Sequence, residues 1–459
     1  MSAKQGVSTQ AGLDALGMAL LHRQACDWVD PLSVARGLKD RAGALALLAG
    51  GGDPLAHGGR WSYVACEPDL AQTLMGAKDD LFAPLRQPML DGGAVIGLMS
   101  YDVGARPATG LRPVVWPDLM LARYPALLVF DHLEGRVEAL GWGVDLDTAQ
   151  AEAARAQSWL ALAQEADPAR LTSPSSDFRS DAPPETYQAA VADVVNRIAA
   201  GELFQANIAR SWSGQLLPER VPFEVFDRLA TTSGSAYGAY WQMGDRAIVS
   251  NSPELFVNFD PTSGQIETRP IKGTRPRHSD PVQDQALARE LADSAKDRAE
   301  NLMIVDLMRN DLARAAVPGS VKVERLFDIE HHPTVHHLVS TVVATARPDV
   351  GVADVLEATF PPGSITGAPK HQAMKVIASH EAPRGLWCGS LFGINLQGDA
   401  ALTGSVLIRT ASFEREADIW SWRAQAGAGI VADSDPVAEC QETEAKISAL
   451  EAAICSPSR

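Results

Sequence analysis

The chain predicts an α+β fold of mainly antiparallel sheets flanked by helices. Strand-like runs arrive consecutively with hairpin-length turns, as in "AYGAYWQMGDRAIVSNSPELFVNF". That order disfavours the strand–helix alternation of a doubly wound parallel sheet. Helical stretches sit between groups of strands and at the end. The 459 residues suffice for two or more domains. With 46% hydrophobic and 21% charged residues the composition is that of an ordinary globular chain.

The elements follow in order. "AGALALLAGGG" is broken by glycines, is too short to cross a membrane and fits a buried strand. "RWSYVACEP", "AVIGLMSYDVG" and "PALLVFDHLEGRVEALGW" read as strands between helical stretches. Residues 165–187, rich in Pro, Ser and Asp, read as a linker or crossing loop. The expected division is therefore an N-terminal region 1–165, a linker 166–186 and a second domain 187–455. Tyr187, Val191, Val194, Val195 and Ile198 recur at helical spacing, and Gly201 closes that helix. Strands follow in "FQANIARSWSG", "AYGAYWQMG", "RAIVSNSPELFVNF" and "QIETRPI", then one long helical stretch from Val282 to Ala316. Further strands lie in "CGSLFGINL", "GSVLIRTASF" and "WRAQAGAGIV", before a last helix over Pro436–Ile454.

A formal charge of −17 excludes a non-specific nucleic-acid binder, which needs clustered Lys and Arg. An anionic substrate must then meet a local positive pocket against the mean field. Five scattered cysteines with no Cys-x-x-Cys pair make no disulfide framework, so a reducing, cytoplasmic compartment is expected. No signal peptide or membrane-spanning run is evident.

Against this acidic background "RPIKGTRPRH", residues 269–278, stands out as a stiff basic loop around Lys272. Asp297 and Glu300 share a helix face three residues apart, as do Glu439 and Glu442, with Lys446 one turn on. On spacing alone these fit a solvated face as well as a carboxylate cluster for a hard cation such as Mg²⁺. "PPGSITGAPK" and "AGAGIV" let main chain approach a ligand, but equally make tight turns. "EHHPTVHHLVS" carries four histidines in seven residues. No thiol or second ligand cluster stands nearby at zinc spacing, so a zinc site is not expected.

Together "GELFQANIAR", "SNSPELF", "TRPIKGTRPR", "AKDRAENLMIVDLMRNDL", "VHHLVST", "PPGSITGAPK", "IRT" and "AGAGIVADSDPVAECQETEAK" resemble the chorismate-utilising enzymes, in family order over roughly 185–450. "GGRWSYVACEPD", "SYDVG" and "WPDLMLARYPALLVFDH" extend the likeness more loosely to the N-terminal region. The resemblance implies a Mg²⁺-dependent enzyme acting on chorismate, on a fold in which two large, mainly antiparallel sheets pack together and are flanked by helices. Where the anthranilate- and isochorismate-forming branches typically carry alanine, this sequence has Lys272, as does the branch that aminates chorismate at ring carbon 4. Gln205 stands where the isochorismate branch keeps a lysine base, and cannot deprotonate water. Leu47, Leu48, Ala49 and Gly50 replace the Leu-Leu-Glu-Ser of tryptophan-inhibited relatives, so that inhibitory contact is expected to be absent.

By the same resemblance Lys272 is the nucleophile, Glu254 the general acid and His337 an orienting group. Thr366, Arg409, Lys446 and the N–H groups of Gly427 and Gly429 bind substrate, while Glu300 and Glu442, with Glu439 nearby or through water, hold Mg²⁺. A lysine at its reference pKa of about 10.4 is a poor nucleophile. Arg269 and Arg275, with partial burial, are expected to lower that pKa. Gly393-Ile394 departs from the family's Gly-Tyr, whose hydroxyl lies near a substrate carboxylate. None of Cys26, Cys66, Cys388, Cys440 and Cys455 lies in a Gly-x-Cys-x-Gly turn, and the sequence ends at "AAICSPSR". The resemblance therefore implies a separate glutamine amidotransferase subunit supplying ammonia and a separate pyridoxal-phosphate lyase that takes the product, with no nucleic acid or membrane partner expected.

Overall fold

The structure is a computed structural model that describes residues 19–50, 53–76, 80–86, 92–166 and 172–455. Part of the expected linker, residues 167–171, lies outside them. Among the described residues there are two large sheets, one of twelve strands and one of ten, and every strand pair is antiparallel. Strands from both sides of residues 166–186 share each sheet. Leu45–Leu48 pairs with Tyr237–Met243 in the first, and Ala94–Met99 with Ser390–Ile394 in the second.

Period-two alternation fixes how the second sheet is covered. Ala94, Ile96 and Leu98 point into a core shared with Leu45, Val64, Leu128 and Ile248 of the first sheet. Val95 and Met99 point the other way, into a core with Ile304, Met308 and Leu356 of the helices Ala295–Ala313 and Val352–Thr359. The outer face of the first sheet packs Ala206, Ile208, Ala428 and Ile430 against Tyr187, Val191 and Val194 of helix Pro184–Ala199. This burial of both faces is what the consecutive strand runs require.

Three local expectations need correction. The single helix over 282–316 is two, Pro281–Asp293 and Ala295–Ala313. Ser294 is extended (ψ 107°) and accepts from the Asp297 N–H, so it caps the second helix. "RPIKGTRPRH" is no free loop: Ile271–Pro276 is a strand paired with Val335–Thr345. Its register shifts between Ile271 and Thr274, and Gly273 adopts φ 85° there, so Lys272 projects from a bulge. The Pro/Ser/Asp-rich stretch also packs closely. Ser175 Oγ donates to Gln215 O, Phe178 stacks on Trp422 at 5.0 Å, and Arg179–Ser180 forms a short strand against Trp212 and Ser213.

Candidate active site

The site forms where the chain passes from one sheet to the other. Arg246–Ser252 belongs to the first sheet and Leu255–Asp260 to the second, with Pro253-Glu254 between them. Leu402–Val406 and Thr410–Glu416 make the reverse passage, with Arg409 in it at φ 51°. A non-glycine residue held in the left-handed region is a strained position of the kind that clusters at functional sites.

Glu254 is buried, and its Oε1 has no hydrogen-bond partner among the described residues. Burial pushes its carboxyl up to about 7, against the Ser364 hydrogen bond and the charges of Lys272, Arg409 and Lys446. It is therefore an acid that can donate near neutral pH. Lys272 is half-buried, and its Nζ lies 3.3 Å from where a Cβ on Gly429 would stand. Burial lowers its pKa and Lys446 adds to that, while Glu300, Glu254 and Glu442 oppose it. The expected role of Arg269 and Arg275 is corrected here. Arg269 pairs with Glu330, and Arg275 with Glu290 and Asp297, so their charges are spent elsewhere.

His337 is buried opposite Thr274, whose Oγ1 lies 2.9 Å from its Nδ1. Burial, helped by Arg409, depresses its pKa to about 3, so its imidazole is neutral near neutral pH and can orient a neighbour by hydrogen bonding but not act as an acid. Arg409 has no hydrogen-bond or ion-pair partner for its guanidinium among the described residues, and its pKa is lowered by burial with Glu254 opposing. That leaves it open to an anion.

Gly427 and Gly429 lie on Ile419–Ile430 opposite Ala209 and Asn207. Those partners send their N–H groups away, to Glu381 Oε1 and Thr366 O. Both pairs are thus non-hydrogen-bonded positions, and the two glycines present their main chain outward from the ladder. Lys446 Nζ takes the Gly427 carbonyl at 3.0 Å and Glu442 at 2.6 Å. A Cβ at Gly429 would come 2.4 Å from Gln205 Nε2, so a side chain there would have to displace the Gln205 amide. Gln205 is fully buried, and among the described residues neither of its side-chain polar atoms has a hydrogen-bond partner.

Thr366 is placed differently from expectation. Its hydroxyl donates to Pro362 O at 2.8 Å and so has no proton for a substrate carboxylate. It locks the turn that carries Ser364. Sequence reasoning missed Ser364 and also Lys370, whose Nζ ties that turn to Asp311 Oδ2 at 2.8 Å and to Pro361 O at 3.1 Å. The available signal was a lysine closing "GSITGAPK", just before an apolar helix stripe. The Gly393-Ile394 departure does not touch this cluster: Gly393 lines a cavity of about 410 Å³ with Leu47, Leu48 and Phe392, and Ile394 is buried in its strand. A Cβ at Gly50 would meet the Ser235 main chain at 2.4 Å, which excludes the serine of the Leu-Leu-Glu-Ser motif in this packing.

The three carboxylates do not form a ready cage. Among the described residues no three His, Cys, Asp or Glu side chains stand close enough to hold a metal by themselves. Glu442 pairs with Lys446, Glu439 accepts from Ser434 at 2.7 Å, and Glu300 lies 3.9 Å from Lys296. They nevertheless repel one another. Burial first, then Asp297 and Glu439, raises Glu300; burial and then Glu442 raises Glu439. For Glu442 burial would raise the pKa, but Lys446, Lys272 and Lys296 outweigh it and lower it. A divalent cation using one or two carboxylates, water and substrate oxygens fits such a set.

A sequence model described as chorismate binding enzyme matches residues 61–452. The chain belongs to the chorismate binding enzymes. Within that family it is 40% identical over 375 residues to "Aminodeoxychorismate synthase component 1" of Salmonella typhimurium, covering 80% of this chain and 78% of that protein. It is 34% identical over 426 residues to "Anthranilate synthase component 1" of Aeropyrum pernix, covering 89% and 90%. The fold matches anthranilate synthase component I from Streptococcus pneumoniae with a TM-score of 0.74 at 26% identity, over 85% of this chain and 92% of that one. It also matches MenF, an isochorismate synthase from Escherichia coli, with a TM-score of 0.73 at 18% identity, over 97% and 96%.

Proposed function

We propose that this chain is the large subunit of an aminodeoxychorismate synthase, converting chorismate and ammonia to 4-amino-4-deoxychorismate. The observation that carries this reading is Lys272, a lysine amine with a lowered pKa in the same cluster as the neutral acid Glu254. The relatives named for that activity support it.

In the first step the neutral Nζ of Lys272 bonds to ring carbon 2. The ring double bonds shift, and the carbon 4 hydroxyl leaves as water with the proton of Glu254. The products are a secondary ammonium adduct and ionised Glu254. In the second step ammonia bonds to carbon 4, the double bonds shift back, and Lys272 leaves as a neutral amine. Ionised Glu254 then takes a proton from the new ammonium group, which restores the starting state. Two displacements give net retention at carbon 4.

Arg409, Lys446 and the outward N–H groups of Gly427 and Gly429 meet the carboxylates of the dianion. Glu300 and Glu442, with Glu439 nearby or through water, would hold Mg²⁺. When bound it neutralises the ring carboxylate and offsets the repulsion among these acids. Ammonia comes from a separate glutamine amidotransferase, and a separate pyridoxal-phosphate lyase consumes the product on the way to 4-aminobenzoate and folate. Unpaired cysteines fit a cytoplasmic compartment.

The test is product identity with chorismate, Mg²⁺ and an ammonium salt. 4-Amino-4-deoxychorismate supports the reading; anthranilate supports the second reading, which the Aeropyrum relative's coverage keeps in view; no product would mean a silent binding subunit.

A further inference from the structure

The lysine that closes "GSITGAPK" sits where a cation is least favoured. Lys370 is the first residue of the helix Lys370–His380, at the positive end of the helix dipole. Its side chain is largely buried, and so is that of its partner Asp311. Burial lowers the pKa of Lys370 and raises that of Asp311, each toward its neutral form. What holds the amine there is a full set of acceptors. Its three N–H groups meet Asp311 Oδ2 at 2.8 Å, Pro361 O at 3.1 Å and Thr359 O at 3.2 Å. Asp311 lies on the helix Ala295–Ala313, which also carries Glu300, and Thr359 ends the helix Val352–Thr359. One side chain thus joins two helices and the turn to the start of a third.

The rest of the turn is held just as closely. A Cβ on Gly363 would stand 2.3 Å from Met308 Cε, so the turn lies against the helix Ala295–Ala313. On its far side the Asn207 N–H donates to Thr366 O at 3.0 Å and the Phe204 N–H to Ala368 O at 2.8 Å. Ser364 stands between these anchorages, buried beside the Glu254 carboxyl, where its hydroxyl favours the ionised acid. A buried ion pair adds little stability over apolar side chains of similar volume. What Lys370 and Asp311 supply is direction: three bonds from one nitrogen fix where the turn runs.

We propose that Lys370 and Asp311 are positioning residues for the general acid, holding Ser364 against Glu254. The inference rests on the role given to Glu254 above. In the first displacement the proton of Glu254 passes to the departing hydroxyl, which leaves as water, and a carboxylate remains in a buried place. The Ser364 hydroxyl donates to that carboxylate as its charge appears, so the proton is given up more easily than by an unaided buried acid. Such a bond weakens steeply with distance and angle. The turn sets both, and Lys370 and Asp311 set the turn.

The test is a cycle of variants of the purified chain, with chorismate varied and Mg²⁺ and ammonium chloride saturating. Lys370→Met together with Asp311→Leu removes both charges and leaves neither unpaired, which a fold tolerates far better than loss of one partner. That double variant and Ser364→Ala are each expected to lower kcat about tenfold or more, as for one hydrogen bond to a charged group, with the chorismate KM unchanged. All three substitutions together are expected to cost nothing further, because the pair acts through Ser364. Should the double variant not fold, Lys370→Gln with Asp311→Asn puts two amides in place of two charges. With two N–H groups for three acceptors it is expected to lower kcat in the same direction and likewise to add nothing to Ser364→Ala. Losses that multiply, a loss confined to KM, or a wild-type kcat in the paired variant or in Ser364→Ala overturns the proposal. Glu254→Gln and the product are scored separately. Full kcat in Glu254→Gln overturns the acid itself and anthranilate overturns the carbon 4 reading, whereas multiplying losses beside an inactive Glu254→Gln overturn the role of the pair alone.

Discussion

The Asn251 N–H donates to the carbonyl of Arg409 at 3.0 Å. That bond ties together the two places where the chain passes between sheets, and the Val406 N–H adds a second tie to Glu254 O at 3.1 Å. Glu254 and Arg409 are therefore carried by main-chain segments tied to each other. Each is carried by main chain that two different sheets hold at either end, which is how a site keeps its geometry without loops of its own.

Glu254→Gln is expected to remove the proton donor and lower kcat by about 10²–10⁴. In the wild type the first displacement needs Glu254 protonated, so its rate falls as pH rises through about 7. Stability runs with the same sign. The folded pKa is raised above the ordinary 4.5, so stability is full below about 4.5 and is lost as pH rises to about 7. That loss has an upper bound of about 3 kcal/mol. Gln titrates nothing, so the variant gains on the wild type over that window, read by denaturant melts at pH 5 and 8. Equal pH dependence in both proteins contradicts the burial account.

Lys272→Ala is expected to abolish the covalent route. Amination at carbon 4 falls by orders of magnitude, and residual amination goes to carbon 2, as in the branch with alanine at this place. Products are separated by chromatography. Full 4-amino-4-deoxychorismate output from the variant would sink the covalent step.

Glu442→Gln removes one charged partner for a cation and also the 2.6 Å partner of Lys446. Activity should then need more Mg²⁺, with the apparent Mg²⁺ constant raised and chorismate binding weakened. Titration of chelator-treated enzyme reads this directly. An unchanged Mg²⁺ constant removes Glu442 from the ligand set.

Much of this was legible because it is local. Tyr187, Val191 and Val194 announced their helix by spacing, and Gly201 with φ 80° ends it as expected. The break at Ser294 was also present in the sequence, as a serine three residues before Asp297, but apolar spacing on both sides masked it. What could not be read was long-range. Arg269 looked like a neighbour that would depress Lys272, yet Glu330, 61 residues away in sequence, takes its charge. The passage of Glu254 and Arg409 between sheets depends on which strands pair, and a strand's composition does not name its partner. The histidine tract shows the same limit: His336 finds its partner in Asp284, 52 positions earlier.

The nitrogen source gives the last prediction. Glutamine hydrolysis would need an activated thiolate, and reactive cysteines have lowered pKa values and some exposure. Here the reverse holds. Burial pushes the Cys66 thiol up to about 12 and raises Cys388 further, and Cys26 and Cys455 are raised as well. Cys440 is buried on the last helix with Arg210 Nη1 3.2 Å from its sulfur. None of the five is placed as a nucleophile. The isolated chain should therefore form the 4-amine from ammonium salts, with kcat/KM for ammonium rising with pH as free ammonia does, and none from glutamine. Adding a glutamine amidotransferase subunit should restore glutamine use without changing the chorismate KM. The measurement is product formed by the purified chain with each nitrogen source in turn. Turnover with glutamine alone, after removal of contaminating ammonia, would mean that the chain carries its own glutaminase and that the partner reading is wrong.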